Sequence, residues 1–348
     1  MKSKIFLIFL LFIVVSCKKE VKNTNENWVK ISERIQYLKD KDVVRVKSGN
    51  FNYSIKKSLL PFKKVMLLNS SLMGYFLELG KEDVITGISS PEFVYSDKIR
   101  ALLKTGKIQN IGSEQKYDVE KIIAFQPEAV FCNYVESFEN TYNILRQNNI
   151  QVIFIDEYLE ESPLDKSRIL ELFGVLLGNE NEAQLKYKDI EKKYESYKAI
   201  AAKSQHQPQV LTNEMYGNQW FLAGGKSNVA QLFKDANANY ILKDNTSSAG
   251  VPMSFEEVFV KSKNVEYWVN VGDHKNRKKL LAINPNYAKM EVYQKGKLYS
   301  LNGSVNGKSN DAFESGVVRA DVFLRDYIKV FHPELFSAEQ LIYLKQIE

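Results

Sequence analysis

Apolar and polar positions fall into two alternating blocks, separated by a stretch of a different kind. In the first block, apolar runs at 64–69, 84–88, 129–133 and 151–155 have the length of buried strands. Segments with helical spacing at 72–79, 96–104, 118–125 and 138–147 lie between them, punctuated by Gly80, Gly106 and Pro127. Strands alternating with helices predict a parallel sheet. Ahead of this block, 43–46 and 51–55 alternate apolar and polar residues around Ser48-Gly49-Asn50, which predicts a hairpin at the lobe's edge.

The middle reads differently. Ser162-Pro163 supplies a cap and a first-turn proline for a helix that stops at Gly178-Asn179. A second, strongly charged helix over 180–204 contains no Gly or Pro. At 1.5 Å per residue it spans about 38 Å, enough to pass from one lobe to another. The alternation then resumes, with strands expected at 209–213, 220–223, 267–271 and 297–301. Helices are expected at 228–235, 255–261 and 314–331, with loop material at 243–250. The predicted fold is α/β, with two Rossmann-like lobes joined by a single long helix. The expected boundaries are 28–178 for the first lobe, 179–205 for the connecting helix and 206–348 for the second lobe.

The N-terminus is expected to lie outside this fold. Lys2 and Lys4 precede an unbroken apolar run over 5–15, too short to span a bilayer and suited to a signal peptide over 1–16. The run ends at Val14-Val15-Ser16-Cys17, which resembles a bacterial lipoprotein signal. Cys17 would become the first residue and carry the lipid on its thiol. Polar residues 17–27 then form a flexible tether, and the protein is expected at a membrane, facing the periplasm or cell exterior.

Composition excludes more than it assigns. Two cysteines rule out a disulfide framework, and Cys132 lies in an apolar strand where it reads as core. A net charge of +6 on 348 residues gives no argument for nucleic acid. His206, His274 and His332 are scattered, so a zinc or manganese centre is not expected. No Gly-x-Ser-x-Gly or His-Glu-x-x-His motif is present, which argues against an enzyme. Gly224-Gly225-Lys226-Ser227 lacks the spacing of a phosphate loop, because position 220 is Trp.

Two segments echo one another. Asp118-Val119-Glu120-Lys121-Ile122 precedes one strand and Ser254-Phe255-Glu256-Glu257-Val258 precedes another. Helix capping explains both locally. Yet Ile108-Gln109-Asn110-Ile111-Gly112-Ser113, followed by the stretch from Asp118 to Glu128, resembles the periplasmic binding proteins that capture cobalamin, haem and ferric siderophores for ABC importers. Asp83 to Ser90 and Phe331-His332-Pro333-Glu334-Leu335 resemble the same family, the latter its lipoprotein subgroup. The resemblance implies a monomer without cofactor, partnered by ABC permease and ATPase subunits. It implies that Glu120 and Glu256 dock into arginine pockets of the permease, with Glu257 as a competitor.

Ligands of parallel sheets bind beyond the strands' carboxyl ends. The loop tips there carry Phe93, Tyr95, Tyr134, Tyr158, Tyr216, Trp220 and Phe313, which suit a macrocycle or metal chelate. His274 and Arg277 add a candidate metal ligand and a candidate anion partner. Asn310 and Glu314 fit a lining or a capping role equally. An iron complex, either ferric siderophore or haem, is the leading expected ligand. Cobalamin is the alternative, and a surface or assembly lipoprotein that borrows the fold is a further one.

Overall fold

The computed structural model describes residues 27–274 and 276–348. The signal segment and Cys17 lie outside the described residues. The chain builds two parallel sheets with helices packed on them. The first lobe's sheet runs Gln151–Phe154, Ala129–Cys132, Val65–Leu67, Ile85–Ile88, Gln109–Asn110 in spatial order, all parallel. Its central strands are buried throughout, which is why they read as continuous apolar runs. Cys132 is fully buried among them, and burial pushes its thiol well above the usual range.

The second lobe repeats the plan with Asn239–Tyr240, Gln209–Thr212, Tyr267–Val271 and Lys297–Ser300 in parallel order. Lys345–Ile347 closes its edge antiparallel to Lys297–Ser300. A small antiparallel sheet of Met215–Tyr216, Gln219–Ala223 and Gly250–Met253 lies beside it.

The expected hairpin is present as Val43–Ser48 and Phe51–Lys56, and belongs to a larger unit. Val29–Lys30 and Ile35–Lys39 complete a four-stranded antiparallel meander. It buries Ile35, Tyr37, Val44, Val46 and Ile55 in the first lobe's core.

Pro163–Leu176 starts at the Ser162 cap, whose hydroxyl accepts from Asp165 N at 3.2 Å. It packs against Glu180–Ala201, the connecting helix. This 22-residue helix is about 33 Å long. Ala183 and Ile190 sit in the first lobe's core, while Tyr194 and Ala201 sit in the second lobe's. The helix therefore has one end rooted in each lobe. Gly174 makes the helix pair possible, because a Cβ there would lie 2.4 Å from Ala183 Cβ.

The final helix is shorter than its pattern suggests. It runs Ala320–Phe331, preceded by a 3-10 turn at Ser315–Val317. His332 is buried at its end and bonds Ala236 O through Nε2 at 3.0 Å.

Candidate functional site

Polar side chains lock the strand tips of the first lobe to one another. Asn69 Oδ1 accepts from Asn133 N at 2.7 Å, and Asn133 Nδ2 donates to Glu157 Oε2 at 2.7 Å. Asp156 Oδ1 accepts from Tyr134 N at 2.7 Å, and Glu114 Oε1 from Ser70 N at 3.0 Å. These bonds satisfy loop amides that the sheet leaves unpaired. The rim is acidic. Nearby, Glu160 is buried against the Ser32 hydroxyl at 2.9 Å, and burial pushes its carboxyl up to about 7.

In the second lobe, Glu214 Oε2 accepts from Gly272 N at 3.0 Å and contacts His274 Nε2 at 2.7 Å. The imidazole is thus held by a carboxylate on the neighbouring strand tip, an arrangement that fixes its orientation. Nothing in the pattern reveals Glu214 as a partner, because sixty residues separate it from His274.

The lobes meet through a different set of loop residues. Glu314 of the second lobe accepts from Tyr95 N at 2.7 Å and Ser96 N at 2.9 Å. It is buried, and its carboxyl is pushed up to about 7 by burial. Arg100 reaches the other way, donating to Asn306 O at 2.7 Å and Ser309 Oγ at 2.7 Å. Glu314 thus holds the two amides just ahead of a helix of the opposite lobe, Asp97–Lys104, whose cap is Ser96. Ser167 Oγ adds a bond to Val318 O.

The expected ligand residues separate into two groups. Tyr158, Tyr216 and Phe313 are exposed, Tyr216 at 83%. Tyr95 is half-buried beside the lobe contact, and His274 is half-buried against Glu214. The remaining four are committed elsewhere. Trp220 is fully buried, packed on Trp268 at 5.3 Å and Tyr287 at 5.4 Å, with Nε1 donating to Thr212 O at 3.0 Å. It offers no face to a ligand. Its side chain alternates inward with Leu222 along the strand, a direction the short apolar run leaves open.

Arg277 is spent on backbone, donating to Tyr293 O at 2.6 Å and Gly296 O at 3.1 Å at the end of the Glu291–Lys295 helix. Asn310 caps a 3-10 turn through Ala312 N and donates to Leu301 O at 2.8 Å. Tyr134 packs among Phe51, Phe154 and Tyr142 in a satellite core. None of the expected ligand residues lines the 820 Å³ cavity, which lies between the connecting helix and the second lobe's Asn228–Asp235 helix.

The Gly224-Gly225 pair has a packing reason. A Cβ at Gly224 would lie 2.2 Å from Ser247 O, and one at Gly225 2.3 Å from Asn245 O. Ser227 then caps the following helix through Ala230 N.

The two echoed segments differ in a useful way. Asp118 caps its helix through Lys121 N at 3.0 Å, and Glu120 in the first turn is exposed with no hydrogen-bond or ion-pair partner among the described residues. Ser254 and Glu257 form a reciprocal capping box, with Glu257 Oε2 accepting from Ser254 N at 2.7 Å. Glu257 is therefore engaged. Glu256 is exposed and unpartnered among the described residues, two positions past its cap as Glu120 is.

Comparison with known proteins agrees with this architecture. A periplasmic haem-binding protein from Pseudomonas aeruginosa superposes with a TM-score of 0.61 at 19% identity, covering 82% of this chain and 98% of that one. Helicobacter pylori CeuE with Ni(II) bound gives a TM-score of 0.64 at 16% identity, covering 85% and 91%. An uncharacterized lipoprotein of Methanocaldococcus jannaschii is 21% identical over 291 residues, 81% of this chain and 68% of its own length. The sequence profile described as periplasmic binding protein matches residues 65–305, more than two thirds of the chain, and the chain belongs to that family.

Proposed function

We propose that the protein is the substrate-binding lipoprotein of an ABC importer, capturing an iron complex, a ferric siderophore or haem, between its lobes and delivering it to the permease. It acts by binding, without catalysis. The observation that carries this reading is the pair Glu120 and Glu256. One exposed carboxylate stands on each lobe, each two residues past a helix cap, and neither has a hydrogen-bond or ion-pair partner among the described residues. Carboxylates left free on two rigid lobes suit arginine recognition by a two-subunit permease. The ligand contacts are Tyr95, Tyr158, Tyr216 and Phe313, with the Glu214-held His274 as the metal-facing group. Cys17 carries the lipid and leaves the monomeric protein outside the membrane.

Native mass spectrometry of the mature chain tests the reading, with ferric hydroxamate, ferric catecholate, haem and cyanocobalamin offered together. A single retained iron complex at micromolar concentration, lost in Tyr216→Ala, is expected. Retention of cyanocobalamin would replace the iron ligand by the corrinoid. Reversing both docking charges, as Glu120→Arg with Glu256→Arg, should abolish uptake while leaving that adduct intact.

A further inference from the structure

Charge is unevenly divided along the chain. Residues 28–64 hold ten lysines and arginines against three acids, whereas residues 65–348 hold 33 basic and 37 acidic residues. The family match begins at residue 65, so the basic excess lies mainly in the N-terminal meander, outside the shared fold. Strand alternation gives the meander two unlike faces. One is in the first lobe's core. On the other, Lys30, Gln36, Lys47 and Asn52 form one cross-strand row; Leu38, Arg45 and Ser54 form the next, and Val43 pairs with Lys56. No Asp or Glu stands in these rows. Glu33 pairs with Lys30 and Asp40 with Arg45 at the margin. Lys41, Lys56 and Lys57 have no carboxylate partner among the described residues. Lys47 lies 4.2 Å from the ring of Trp28, at the point where the chain enters the fold.

We propose that this outer face is a membrane-contact surface for anionic phospholipid headgroups, holding the first lobe against the bilayer. Basic side chains near an anionic leaflet are attracted within about a Debye length, and a tryptophan at the same level suits the headgroup region. The proposal rests on the lipid-anchor reading for one point only, the nearness of the bilayer. Trp28 lies eleven residue steps beyond Cys17, so the meander cannot leave the membrane by more than about 40 Å.

The test uses the mature chain with Cys17→Ser, which carries no lipid, in co-sedimentation with vesicles. Vesicles of phosphatidylcholine mixed with phosphatidylglycerol should bind it, and vesicles of phosphatidylcholine alone should not. Binding should weaken with salt and fall by more than about tenfold in Lys41→Glu/Lys47→Glu/Lys56→Glu/Lys57→Glu. The charge-matched control Lys188→Glu/Lys192→Glu/Lys203→Glu/Lys263→Glu, on the connecting helix and beyond it in the second lobe, should retain it. Equal binding to both vesicle types, or undiminished binding by the meander variant, overturns the proposal. So does an equal loss in both variants, which would reflect net charge alone. A mass spectrum of the native N-terminal peptide without lipid would overturn the anchor reading and leave the vesicle result standing.

Discussion

Glu314 places one buried carboxylate in the lobe contact. Its two oxygens accept two backbone amides of the opposite lobe, yet burial raises its carboxyl to about 7. A folded pKa above the unfolded value of roughly 4.5 means the folded state binds more protons between those limits. This residue's contribution is therefore fully present below about pH 4.5 and is lost as pH rises through about 7. Glu314→Gln cannot titrate. The stability difference, wild type minus variant, should fall between pH 5 and 7.5 when followed by denaturant midpoint. A pH-independent difference would mean that the carboxyl does not titrate in this range. Residue-level roles of this kind were the least legible in the sequence. Trp220 and Phe313 are both loop-tip aromatics by pattern, yet Trp220 takes an inward position of a strand while Phe313 ends a 3-10 turn with its ring 61% exposed. Arg277 was unreadable for another reason: the backbone carbonyls it binds converge only once the loops are folded, whereas Asn310 takes the capping one of its two expected roles.

At the scale of elements, the connecting pair depends on Gly174. Its missing Cβ lets Pro163–Leu176 and Glu180–Ala201 approach closely. Gly174→Val should push them apart and cost about 1–3 kcal/mol, the usual range for overpacking, read as a lowered denaturant midpoint with unchanged m. Elements were largely legible where burial is two-sided. The core strands appear as apolar runs, and the caps at Ser96, Asp118 and Ser162 stand where their residue types predict. Two short edge strands were not, although the edge strands Phe51–Lys56 and Gln151–Phe154 were. In Lys345–Ile347 only Ile347 is buried, so no pattern distinguishes it from a tail. The Val29–Lys30 strand is too short to show alternation.

At the scale of the molecule, two hydrophobic cores are joined by one helix, by Val317 and Val318 of the second lobe packing into the first lobe's core, and by polar contacts between the lobes. The architecture was readable because the charged, glycine-free stretch between the two blocks admits one reading, a long exposed-faced helix. The lobe contact was not, since Glu314 and Tyr95 lie 219 residues apart. The connecting helix behaves as a shaft whose two bearings are the lobes themselves. Pulling Ala183 and Ile190 out of one core removes the support that aligns Tyr194 and Ala201 in the other. Neither lobe can melt while its neighbour keeps a full shaft, so calorimetry should show a single transition, with calorimetric and van't Hoff enthalpies equal. Two resolved transitions would show that the helix can be released from one lobe alone. In that case, the unit that senses an occupied cleft would be a lobe and not the whole protein.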